Sequence, residues 1–111
     1  MLYFLSCLLY DVSMSRNRTS IKQSYIDDIC LALCGIDDID QMRRFLEEIL
    51  TPAERKDLAL RWELMRLLAD GVPQRQIAKE LGVSLCKITR GARILKQADS
   101  VTKRHLMRRT Q

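Results

Sequence analysis

Apolar residues recur three and four positions apart along most of this chain, the spacing that gives an α-helix one core-facing side. Ile21, Tyr25, Ile26, Ile29, Cys30 and Leu33 predict a first helix that stops at Gly35. Ile39, Met42, Phe45, Leu46 and Ile49 predict a second, capped by Asp37 or Asp38. Thr51-Pro52-Ala53-Glu54 then opens a third helix: Thr51 as N-cap, proline in the first turn where no amide is needed, and Glu54 closing a capping box. It runs to about Ala69 and stops at Gly71. Its apolar residues (Leu58, Leu60, Trp62, Leu64, Met65, Leu67, Leu68) spread too far around the axis for one stripe. A helix apolar on two sides is buried on two sides, and in a chain of 111 residues that implies a dimer interface.

Gly71-Val72-Pro73 turns the chain into a fourth helix at about Pro73–Leu81, and Gly82 permits the left-handed backbone of a tight turn. Ser84 caps a fifth helix at about Leu85–Gln97. Ile77, Ala78, Leu81, Val83, Ile88 and Ala92 pack this pair together, with Ala78 small enough for a close crossing. Leu85, Ile88, Ala92 and Leu95 are expected to form the core face of the fifth helix, opposite Cys86, Lys87, Arg90 and Arg93. Asp99 or Ser100 starts a short last helix carrying Lys103, Arg104, Arg108 and Arg109. The pattern predicts an all-α fold of about six helices, in which Gln74–Leu95 is either a helix-turn-helix or a plain corner of two helices. Scarce glycine (4) and proline (2) agree with that class.

The first ten residues, MLYFLSCLLY, do not continue the pattern. They are too short to span a bilayer and have no basic segment before them. Met14 begins MSRNRTS, a more polar start. Residues 1–18 are set aside as an uncertain start or disordered segment, with a short membrane-touching or dimer-packing role as the alternative, and residues 19–111 form the domain.

Charge changes the picture. Residues 1–70 carry 9 Lys/Arg against 12 Asp/Glu, whereas residues 71–111 carry 10 against 2, a net of +8. A basic half made of ordered helices points to a polyanion, and a solvated basic face is the competing explanation. A reading helix lies in the major groove with its first residues against base edges, which puts Leu85, Cys86, Lys87 and Thr89 near bases. Lys87 suits guanine O6/N7, and Leu85 a thymine methyl group. Gln74, Arg75, Lys79 and Lys96 are placed for phosphates. Cys7, Cys30, Cys34 and Cys86 have only His105 as a nitrogen partner and close no zinc site. They read as buried thiols of a cytoplasmic protein, with Cys86 a small residue that fits against DNA. With no phosphate-cradling glycine loop, nucleophile–histidine pair or metal cluster, an enzyme is not expected.

Three segments carry a resemblance: LTPAERKDLALR, then QRQIAKELGVS, then KITRGARILK, of which ITRG is the most distinctive. From about residue 45 to residue 97 the chain resembles the tryptophan operon repressor family, although the turn at Gly71–Gln74 is one residue shorter than usual there. The resemblance implies an intertwined homodimer that binds a double-stranded DNA operator, with no membrane association and no resident cofactor. It implies L-tryptophan as corepressor, wedged behind the reading helix. Arg61 and Arg90 match the arginines that sandwich the indole, Arg90 also holding the carboxylate. Leu50 and Thr51 match pocket-lining residues, and Gly91 the glycine that leaves room for the ring.

This chain departs from the family at Ile94, where a small hydroxyl residue normally stands near the ligand amino group, and Glu48 replaces an apolar lining residue. An ammonium left without its acceptor costs about 1–3 kcal/mol, so Ile94 in the ligand set leaves L-tryptophan, another aromatic acid and no ligand open. Two functions follow: a sequence-specific repressor gated by an aromatic amino-acid ligand, or a ligand-independent helical DNA-binding or adaptor module.

Overall fold

The computed structural model describes residues 22–109. They form six α-helices: α1 (Gln23–Cys34), α2 (Ile39–Ile49), α3 (Pro52–Ala69), α4 (Gln74–Leu81), α5 (Leu85–Lys96) and α6 (Val101–Arg109). There is no strand among the described residues, so the all-α expectation stands. The expectations for residues 1–18 and for Cys7 lie outside them. Two compact units meet within α2, the first ending at Phe45 and the second beginning at Leu46.

In the first unit, α1 carries apolar residues at helical spacing but buries none. Ile26 and Ile29 are 42% and 40% exposed, and Leu31 71%. Cys30 and Cys34 are free and exposed, as is Cys86 in the second unit, which corrects the expectation of buried thiols. Cys30 and Cys34 lie four residues apart on α1. Asp38 opens α2, its Oδ2 accepting from the Gln41 amide at 3.2 Å.

The second unit is built around α3. Thr51 Oγ1 accepts from the Glu54 amide at 3.2 Å, and Glu54 Oε1 accepts from the Thr51 amide at 2.9 Å. The Thr51 amide and hydroxyl together hold the Glu54 carboxyl below its ordinary range. One residue on, Arg55 Nη1 donates to the carbonyls of Leu50 at 2.7 Å and Glu47 at 3.1 Å, satisfying the exposed end of α2. Further along α3, Arg66 binds Glu63 and reaches Asp70 Oδ2 at 3.0 Å.

Leu64 and Met65 of α3 join Ile77, Ile88 and Leu106 in a single buried cluster, to which α4, α5 and α6 each contribute one side chain. Gly71 (φ 85°) and Gly82 (φ 64°) adopt the left-handed backbone that the two turns need. Pro73 sits just before α4 as its N-cap instead of inside it, its φ of −59° and ψ of 143° being those of an extended residue. Ser84 caps α5 by accepting from the Lys87 amide, and Ser100 caps α6 by accepting from the Lys103 amide.

The core face of α5 differs from the expected one. Leu85 is 51% exposed, while Ile88 and Gly91 are buried and Ile94 and Leu95 pack against the core. Leu85 lies in the first turn of α5, ahead of the point where the helix meets α3. The buried side is also centred on a glycine, which a count of apolar side chains passes over. On α3 the expected second apolar side is present: Leu58 is half-exposed and Trp62 is 41% exposed.

Candidate functional site

Three residues, Gly82-Val83-Ser84, join α4 to α5, a connection short enough to hold the two helices in one fixed crossing. Exposed on α4 are Gln74, Arg75 and Lys79. α5 contains Lys87, Arg90, Arg93 and Lys96, and no acid occurs between Glu80 and Asp99. Electrostatically, its outer side is therefore uniformly positive. Leu85, Cys86, Thr89, Arg90 and Arg93 line a surface groove of ≈ 460 Å³ there. Thr89 Oγ1 donates to the Leu85 carbonyl at 2.9 Å, so its oxygen is left as an acceptor for an incoming N–H. Arg93 belongs to this groove, on the side of the helix where the sequence placed it with Cys86, Lys87 and Arg90, though it was not named as a base or phosphate contact.

On the flank of α5 that faces α3, a second cavity of ≈ 50 Å³ is lined by Arg61, Leu64, Lys87, Arg90, Gly91 and Ile94. Four of the six expected ligand residues therefore meet. Leu50 and Thr51 do not line it: they form the elbow between α2 and α3, where the Thr51 hydroxyl is used as a cap. Leu64 was expected only as one of the apolar residues of α3, and Lys87 as a base contact. Lys87 lines the cavity together with Arg61, because Lys87, Arg90, Gly91 and Ile94 fall three and four apart on one flank. The lining holds three cations and no acid.

Gly91 serves packing as well as space. A Cβ there would sit 2.7 Å from Met65 Sδ and 2.8 Å from Leu64 Cδ1, closer than carbon atoms approach without displacement. Its missing side chain is what lets α5 lie directly on α3. Next to this cavity an apolar groove of ≈ 220 Å³, lined by Leu58, Arg61, Trp62, Met65, Ile94 and Thr102, shares Arg61 and Ile94 with it.

A small all-α protein with an acid-free, basic helix on its surface falls in the class of helical nucleic-acid-binding regulators. The chain belongs to the Trp repressor protein family, whose model matches residues 24–110. It is 40% identical over 73 residues to a Trp operon repressor homolog of Chlamydia trachomatis serovar L2, covering 61% of this chain and 78% of that protein. It is 48% identical over 61 residues to one of Xylella fastidiosa, covering 54% and 66%. A third, from Actinobacillus succinogenes, is 43% identical over 58 residues, covering 51% and 57%. No solved structure matches. Among the described residues no helix is long and apolar enough to cross a membrane.

Proposed function

We propose that this protein is a homodimeric, sequence-specific DNA-binding repressor of transcription, gated by L-tryptophan or a related aromatic ligand. Its place in the Trp repressor family and the names of its relatives support a DNA-binding repressor. The observation that carries the gating is the cavity beneath α5: Arg61 of α3 and Arg90 of α5 line one space from two helices. Planar guanidinium groups suit both stacking on a ring and pairing with a carboxylate. A ligand clamped between them would favour one setting of α5 over others, and only such differential affinity shifts an equilibrium. Leu85, Cys86, Lys87 and Thr89 would face bases, with Gln74, Arg75, Lys79 and Lys96 on phosphates. The half-exposed Leu58 and Trp62 would lie in the dimer interface.

The test measures operator-fragment binding with and without L-tryptophan, for the wild type and for Arg90→Leu. The wild type is expected to bind DNA more tightly with ligand. Arg90→Leu should keep its helix content, since Arg90 is exposed, and lose the response. A wild type that binds DNA equally well in both conditions would leave the ligand-independent module, which Ile94 favours, as the function. Sedimentation at micromolar concentration should give a dimer.

A further inference from the structure

Two free thiols, Cys30 and Cys34, stand exposed one helical turn apart on α1. At about 100° per residue they fall in one stripe with Gln23 and Asp27, all four exposed, on the side away from the half-buried Tyr25 and Leu33. Side chains four apart on a helix have Cβ atoms about 5–6 Å apart. A disulfide needs about 3.5–4.5 Å, so the pair cannot close on itself while α1 stays helical. What the spacing does allow is a bridge between the two sulfurs.

Two metal–thiolate bonds of about 2.3 Å, set in line, separate their sulfurs by about 4.6 Å, a span within reach of staggered rotamers at this spacing. An ion that demands four ligands is poorly served, because among the described residues no group of three or more His, Cys, Asp or Glu is placed to hold one. Asp27, the carboxylate on the same stripe, accepts from Gln23 Nε2 at 3.3 Å and offers hard oxygen where a soft metal prefers sulfur. Charge also selects a cation. Residues 23–40 contain five aspartates and no Lys, Arg or His, and Cys34 ends α1, where the helix dipole is negative. Cys86 makes the contrast: it shares its groove with Arg90 and Arg93, which repel a metal ion and draw an anion.

We propose that Cys30 and Cys34 form a two-thiolate site on α1 for one soft cation that takes two ligands in line, of which Cu(I) is the type. Each thiol gives up its proton as its bond to the metal forms, and no electron is transferred. Both ligands belong to the first unit, and the site is independent of the ligand-gated reading above.

Anaerobic titration of the reduced full-length protein with Cu(I), in competition with the chromophoric chelator bicinchoninate, tests it. The wild type is expected to take up one tightly held Cu(I) per chain. Cys30→Ser and Cys34→Ser should each weaken that uptake about a hundredfold or more, since a single thiolate loses the advantage of chelation. Their helix content should not change, both positions being exposed. The double variant Cys7→Ser/Cys86→Ser should keep the wild-type affinity, and Zn(II) should not displace the copper. Loss of uptake in that double variant, or its retention in Cys34→Ser, would place the site elsewhere and overturn the proposal. Displacement by an equal concentration of Zn(II) would do the same by revealing a four-ligand site. So would a stoichiometry of half an ion per chain, which would mean that two copies share it.

Discussion

α1 and α4 are both amphipathic, and the longer of the two is the less buried. α4 has 8 residues and places Ile77 at zero exposure in the core; α1 has 12 and buries nothing. Isolated helices of fewer than about 12–15 residues are marginal in water, so neither is stable by propensity alone. α4 is held because α3 and α5 close over it through two glycine turns and a shared cluster. α1 shows an apolar side of similar chemistry, of which Tyr25 and Leu33 are half-buried and Ile26, Ile29 and Leu31 exposed. Periodicity states which side of a helix leaves water, and says nothing about whether the cover comes from the same molecule.

The largest break in this comparison comes from truncating the covered helix. Ile77→Ala should lower stability by about 2–5 kcal/mol, measured by urea unfolding, because it empties a fully buried site. A loss under ~1 kcal/mol would mean the cluster collapses to refill the space. On the uncovered helix, Ile29→Ala should cost roughly 1–2 kcal/mol if the proposed second copy covers α1. The accompanying melting temperature should rise with protein concentration. A concentration-independent melt with no loss would leave α1 facing water. Gly91→Ala is the sharper probe of how closely the second unit is packed. Alanine gains about 1 kcal/mol of helix propensity, but overpacking costs about 1–3, so a net loss near 1 kcal/mol is expected in thermal melts. The smallest effect is one of pH. Glu54 has its carboxyl held below the ordinary range by Thr51, so its contribution is present above that range and fades as pH falls through the lowered value. Glu54→Gln should flatten this acid-side decline and leave neutral stability nearly unchanged.

The helix boundaries were the most legible feature of the sequence, because each is signalled by a residue whose own chemistry ends or starts a helix. Thr51, Pro52 and Glu54, then Ser84, were each assigned to the end at which the structure places them, and Ser100 was one of two candidates, with Asp99, for the start of α6. Gly71 and Gly82 likewise took their turns. The facing of α5 was not legible, since its closest contact with α3 runs through Gly91, a residue with no hydropathy to count. Nor was it legible that Lys87 would also line the cavity beside Arg61: a long basic side chain near the start of a reading helix suits bases and an inner flank equally, and the rotation of the helix on α3 sets the flank. Of the ligand set, Arg61, Arg90, Gly91 and Ile94 were brought together in one lining. Leu50 and Thr51 were not, because the elbow uses them locally.

Gly91 also imposes an order on how this sequence can change. Its neighbours Leu64 and Met65 are 1% and 5% exposed, so neither can swing into solvent to admit a methyl group. A lineage that acquired alanine at 91 first would pass through a crowded, weakened intermediate, whereas one that first shortened residue 64 or 65 would leave a gap that the new methyl then fills. The two routes reach the same sequence, but only the second avoids overpacking, and its own cost is the temporary void. Histories at these three positions are therefore coupled, with the change on α3 expected to precede the change on α5.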